Sequence, residues 1–251
     1  MKLHFKSLGD GEPIFILHGV FGSADNWITI GKQLAQKSKV YLIDQRNHGQ
    51  SPHDTLFNYE VMAEDLFQLM KDEHLAHATI IGHSMGGKTA MEFACKYPSK
   101  VDNLVVVDIG PKAYPPHHHD VLAGFHAVKL EGLQSRNDAD RQMSECISNP
   151  GVRQFLLKNL NRTSDGFSWK HNLEVIEKNI EEIGKPLDPQ KHYAGKTLFI
   201  RGSNSDYIKN DDIELIKNHF QNSRLETVEN AGHWVHAEQP VALLEILNQF
   251  L

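Results

Sequence analysis

Cysteine is nearly missing from this chain. Cys95 and Cys146 are the only two thiols among 251 residues, and they lie far apart. Such a pair forms no disulfide framework and no metal-ligand spacing, and it fits a reducing compartment. Cys95 reads as a buried apolar thiol. A basic surplus is missing too: the formal charge is −6, which argues against nucleic-acid binding, since a phosphate backbone needs a cationic surface. No apolar run approaches the roughly 18–20 residues of a membrane span. The opening Met1-Lys2-Leu3-His4-Phe5-Lys6 lacks the apolar stretch of a secretory leader. Low-complexity segments and internal repeats are also absent. These absences lead us to expect a soluble cytoplasmic protein without a membrane span.

The remaining composition, 40% hydrophobic and 23% charged, is that of a globular chain long enough to bury a sizeable core. Lys2 to Leu8 alternates apolar and polar residues, as a half-exposed edge strand does. Pro13 to Leu17, Val40 to Ile43, Thr79 to Ile81 and Leu104 to Val107 are short continuous apolar runs, as expected of strands buried on both faces. Helical spacing separates them: Trp27, Ile30 and Leu34 form one face, with Ser23 or Asp25 as the cap, and Val61, Leu66, Leu69 and Met70 form another. Strand and helix thus alternate, the mark of a parallel sheet built from β-α-β units.

The alternation stops near Pro111. From there to Tyr193 helical patterns dominate (Val121–Leu130, Asp138–Ile147, Val152–Leu160, Leu173–Ile183). It resumes with a strand at 197–200, a helix at 211–220, a strand at 225–228 and a last helix from Pro240. That helix carries Val241, Leu244, Leu247 and Leu251 as its apolar face. The expected organisation is an α/β core formed by residues 1–110 and 194–251, with a helical cap at 111–193.

One stretch organises this reading. Thr79-Ile80-Ile81 runs into Gly82-His83-Ser84-Met85-Gly86-Gly87 and on into helical sequence. A serine on so tight a strand-to-helix bend needs small residues two before and two after it, because a side chain there would strike neighbouring backbone. A serine hydroxyl is a poor nucleophile until a base takes its proton, and the base needs a carboxylate behind it. Ligands of parallel sheets sit outside the carboxyl ends of the strands, where His18, Asp44, Ser84 and Asp108 all stand. His233 follows the last strand on the loop Gly232-His233-Trp234-Val235-His236. It is the expected base, with His236 as a helix-entry or rim residue. Two aspartates qualify as the acid: Asp108, 24 residues beyond Ser84, and Asp206, after the next strand.

His18-Gly19, Asp44-x-Arg46-x-His48-Gly49-x-Ser51, Gly82-His83-Ser84-Met85-Gly86-Gly87 and Gly232-His233-Trp234 together resemble the α/β-hydrolase superfamily. Within it, Val20-Phe21-Gly22-Ser23, Val107-Asp108-Ile109-x-Pro111 and Gly232-His233-Trp234-Val235-His236-Ala237-Glu238 resemble the YbfF-type bacterial esterases. The resemblance implies a cap over the sheet and hydrolysis of small acyl esters, with acyl-CoA-type thioesters as a further class. It favours Asp108 as the acid, with Asp206 as the alternative.

The oxyanion of such a reaction needs preorganised donors. The backbone N–H of Met85 is one, and Val20 or Phe21 supplies the other. Trp234, Phe125, Phe155, Leu156 and Trp169 are candidate pocket walls, although a cap also needs a core of its own. Arg46 and His48 read as loop-bracing groups, and Lys88 as a solvated or ion-paired side chain. The run Pro115-Pro116-His117-His118-His119-Asp120 reads as a surface loop rather than a metal site, because consecutive residues cannot all face one ion; no cofactor is expected. A C–C bond hydrolase, another acyl-transfer enzyme and a non-catalytic small-ligand receptor are the rival readings. Dehalogenase and epoxide-hydrolase chemistry is disfavoured, because those relatives carry a carboxylate where Ser84 stands.

Overall fold

The computed structural model describes residues 1–116 and 118–251; His117 of the histidine run lies outside the described residues. The chain begins with strands β1 (Phe5–Leu8) and β2 (Glu12–Leu17), helix α1 (Ile28–Leu34), β3 (Ser38–Ile43) and α2 (Tyr59–Asp72). Strand β4 (Ala78–His83), α3 (Met85–Lys96) and β5 (Val101–Val107) follow. An insertion then holds α4 (His119–Ala127), α5 (Arg136–Met143), α6 (Pro150–Leu157), β6 (Leu160–Thr163), β7 (Gly166–Trp169), α7 (Leu173–Lys178) and α8 (Ile180–Gly184). Strand β8 (Thr197–Gly202), α9 (Ile213–His219), β9 (Ser223–Val228), α10 (Val235–Glu238) and α11 (Pro240–Phe250) complete the chain.

Seven strands form one sheet in the order β1-β3-β2-β4-β5-β8-β9. Only β1 runs antiparallel, at the edge against β3, where Ser7 is exposed and Phe5, Lys6 and Leu8 are half-buried. The interior strands are apolar on both faces because helices cover both. Phe15, Leu17, Tyr41, Ile43, Ile80, Leu104, Val106 and Phe199 pack toward α2, α3 and α9. Ile14, Ile16, Val40, Leu42, Ile81, Val105, Leu198 and Ile200 pack toward α1 and α11. The strand period of two sends neighbouring residues to opposite cores. At about 25 cal/mol per Å² of apolar surface removed from water, this double burial is the main driving force of the fold.

The chain winds outward from β2 in both directions, with β3 on one side and β4 on the other. Such a switch opens a crevice at the strand ends, and the loops after β2 and β4 meet there.

Three features depart from the sequence reading. The insertion contains a two-stranded hairpin, Leu160 paired with Trp169 and Thr163 with Gly166, where helices alone are expected. Its outer residues Asn161 to Thr163 are exposed, so it shows no buried apolar run. The pattern over Leu173–Ile183 is two helices broken at Asn179 rather than one. On α11 the buried face is Leu243, Leu247 and Phe250, whereas Val241 is 68% exposed and Leu251 43%. Glu245, Asn248 and Gln249 form the exposed side of the helix and Val241 falls on it, while the opposite side packs against α1.

Candidate active site

Ser84 occupies the turn between β4 and α3 with φ 52° and ψ −120°, a left-handed backbone that a non-glycine residue adopts only at a cost. The glycines around it are compulsory. A Cβ on Gly82 would lie 2.2 Å from the Gly86 carbonyl oxygen, and one on Gly86 would lie 2.5 Å from that of Leu17. The Gly19 loop presses equally close, since a Cβ there would come within 2.9 Å of His83 Nδ1.

Asp108 follows β5, also with positive φ (52°), and is fully buried. Its Oδ2 accepts a hydrogen bond from His233 Nδ1 at 2.8 Å, which leaves Nε2 of that ring as the basic nitrogen. The same oxygen accepts from the Ser205 hydroxyl, and Oδ1 accepts from the Gly202 N–H at 3.1 Å. Burial pushes the Asp108 carboxyl up to about 7, against the downward pull of those two donors.

Three further contacts hold the ring of His233 and the loop that carries it. Tyr207 stacks on its face, with centroids 3.8 Å apart. His83 Nε2 lies 2.8 Å from the His233 carbonyl oxygen and donates to it. Glu238 accepts from the N–H groups of Gly232 and Trp234 (2.7 and 3.2 Å) and so braces the loop from both sides. The sequence reading assigned no role to His83, Ser205, Tyr207 or Glu238. His83 and Glu238 lie in motifs that carry the resemblance, one residue before Ser84 and five after His233; Ser205 and Tyr207 carry no such signal.

The loops after β2 and β3 are stiffened by buried polar groups. His18 Nδ1 donates to the Gly19 carbonyl (2.8 Å), and its Nε2 accepts from the Gln45 N–H (3.1 Å). Arg46 forms a two-pronged pair with Asp65 at 2.6 and 2.9 Å. His48 Nδ1 donates to the Arg46 carbonyl at 2.8 Å, and Nε2 receives the Phe21 N–H at 3.4 Å. Burial pushes His18, His48 and His83 below the ordinary histidine range, so these rings serve as neutral hydrogen-bonding groups.

A cavity of about 300 Å³ opens above Ser84 and is lined by His233, Val20, Phe21, Phe155, Leu156 and Trp234, among others. Three of the five expected pocket walls therefore lie on it. Phe125 and Trp169 do not: they meet edge to face at 4.8 Å behind Phe21, in the core of the insertion. Of the amide donors expected for an oxyanion, that of Phe21 is directed at His48. Among the described residues no acceptor engages the N–H of Val20 or of Met85.

Three other expectations change. Asp206 is 94% exposed and lies 3.4 Å from Lys209; Ser205, one residue earlier, takes the position against Asp108, so Asp206 faces the other way. His236 is buried and stacks on Trp27 at 4.4 Å rather than sitting on a rim. Lys88 is buried and bound to two backbone carbonyls rather than solvated. No helix among the described residues is long and apolar enough to cross a membrane.

Comparison with known proteins agrees with this geometry. The family model for the alpha/beta hydrolase fold matches residues 12–155. The sn-1-specific diacylglycerol lipase ABHD11 of Mus musculus is 39% identical over 98% of this chain and 84% of its own length. Esterase YbfF of Escherichia coli K12 is 36% identical over 96% of this chain and 94% of its own. The solved structure of a marine microorganism esterase superposes with a TM-score of 0.96 at 42% identity, covering 100% of this chain and 99% of that one. A serine strained on a strand-to-helix turn, a histidine after the last strand and a sequence match over more than half the length converge, and the chain belongs to the alpha/beta hydrolase fold family.

Proposed function

We propose that this protein is a serine carboxylester hydrolase acting on small, uncharged acyl esters. The observation that carries the reading is the His233–Asp108 hydrogen bond of 2.8 Å, set beside a cavity that both His233 and Ser84 line. Ser84 Oγ attacks the acyl carbonyl while His233 Nε2 takes its proton. Asp108 holds the tautomer and stabilises the imidazolium that forms. The N–H groups of Val20 and Met85 receive the developing oxyanion, helped by the positive end of α3. His233 returns the proton to the leaving alcohol, then activates the water that releases the acyl group from Ser84.

Residues 111–193 act as the cap, contributing Val152, Phe155 and Leu156 to the cavity wall. That wall is mostly apolar and, among the described residues, contains no lysine or arginine, which favours a neutral ester over the phosphate-bearing end of an acyl-CoA. A thioester carbonyl meets the same nucleophile, so thioesters of small thiols are secondary substrates. The names of the relatives, a diacylglycerol lipase and esterases, support ester chemistry over C–C bond hydrolysis. The test is labelling by a fluorophosphonate probe and turnover of short p-nitrophenyl esters, with Ser84→Ala as the control. A wild-type protein that neither labels nor turns over any ester would remove the enzyme reading and leave a small-ligand receptor.

A further inference from the structure

Lys88 sits one turn into α3 and is 2% exposed. No carboxylate pairs with it among the described residues. Its Nζ donates instead to the carbonyl oxygens of Lys112 (2.6 Å) and Lys185 (2.8 Å). Those two residues mark where the chain leaves the sheet for the insertion and where it returns. The two crossings also pair with each other, Leu187 N–H to the Pro111 carbonyl and Tyr114 N–H to the Gly184 carbonyl, both at 2.8 Å. A single side chain from the nucleophile's own helix therefore grips both connections.

Burial of an ammonium without a counter-ion is costly, and burial pushes Lys88 down to about 7. What the buried amine gains in return is the pairing of two carbonyl oxygens from separate segments, a link that an apolar side chain could not make.

The geometry leads onward from Lys88 to the base. Its Nζ lies 5.3 Å from the centre of the Tyr114 ring. Tyr114 stacks on Tyr207 with centroids 5.3 Å apart and donates its hydroxyl proton to the Tyr207 carbonyl at 2.7 Å. Tyr207 in turn covers the face of His233.

We propose that Lys88 is a positioning residue: by clamping both crossings to α3 it fixes Tyr114, hence Tyr207, hence the plane of the His233 imidazole. This inference rests on the serine-hydrolase reading of the site. Lys88 touches no reacting atom and acts only through the Tyr114 hydroxyl bond and the packed rings.

The test is a double-mutant cycle on a short p-nitrophenyl ester with Lys88→Met, Tyr114→Phe and the combined variant. Each folded variant is read for kcat and KM separately. Since small displacements of a catalytic group are costly, each single change should lower kcat about tenfold with KM within about twofold. The pair should lose no more than the worse single variant, because both break one line of contacts. Independent, multiplying losses, or an effect on KM alone, would overturn the proposal, as would an unchanged kcat in Lys88→Met. If Lys88→Met does not fold, Lys88→Gln takes its place in the cycle. Absence of fluorophosphonate labelling in the wild type would instead defeat the underlying functional reading.

Discussion

The ring of Tyr207 lies flat against the imidazole of His233, with planes within 14° of parallel and centroids 3.8 Å apart. Asp108 holds the edge of the same imidazole through Nδ1. Edge and face together leave the ring one orientation, the condition for general-base catalysis at a fixed distance.

Removal of the face contact alone should therefore be felt in the rate. Tyr207→Leu keeps apolar bulk but loses a ring stack of about 0.5–1.5 kcal/mol. It should lower kcat/KM by about tenfold while the protein remains folded, as checked by steady-state kinetics beside thermal unfolding. Unchanged kinetics would show that Asp108 orients the ring without help.

Asp108 and Asp206 both stand after sheet strands, yet their substitution should have opposite consequences. Asp108→Asn should reduce kcat by about 10⁴, the scale at which triad enzymes lose activity when the base adopts the wrong tautomer. Asp206→Asn, on a side chain 94% exposed, should stay within about twofold of the parent, as surface substitutions do. Equal losses in the two variants would contradict the assignment of the acid.

The Asp108 carboxyl also predicts how stability and rate respond to pH. Its folded pKa is raised from 3.8 to about 7, so the folded state holds that proton more tightly than the unfolded chain. The stabilisation is complete below about 4 and is lost as pH rises through about 7. Asp108→Asn, uncharged throughout, should gain melting temperature relative to the wild type as the buffer goes from pH 4 to pH 8. Activity should run the other way: kcat/KM falls as pH drops below about 7, because a neutral carboxyl no longer supports the imidazolium. A melting-temperature difference that is flat with pH would show that Asp108 stays ionised throughout.

On α11, Leu247→Ala should cost roughly 2–5 kcal/mol, the range for emptying a leucine site in a packed core. Val241→Ala, at a position 68% exposed, should change stability by no more than about 0.5 kcal/mol. Urea unfolding of both variants distinguishes the buried face from the one that spacing alone suggests.

What could be read in advance followed from how local each cause is. Ser84 was legible because its requirements sit within two residues: Gly82 and Gly86 clash with backbone if they carry a Cβ. The sheet was legible because burial on both faces leaves uninterrupted apolar runs such as Ile14 to Leu17. The choice between Asp108 and Asp206 rested on resemblance alone, since direction at a strand end depends on the φ of 52° at Asp108 and on Ser205 turning inward. The exchange of Phe125 for Tyr207 at the site has the same origin. Aromatic content marks candidates, but only packing decides which ring faces the base. Lys88 was misread because its acceptors are backbone atoms 24 and 97 residues away, and a carbonyl partner leaves no mark in a sequence.

The His83 side chain has one more consequence. Ser84 follows it by a single peptide bond, and its ring grips the main chain at His233. Ser84 and His233 are therefore carried on one cross-tied frame at the strand ends. The tie at His83 acts on the main chain, so it holds Ser84 and His233 together independently of the ring contacts that reach His233 from Tyr114 and Tyr207. The insertion thus lines the cavity from one side, and the cross-tied strand ends close it from the other.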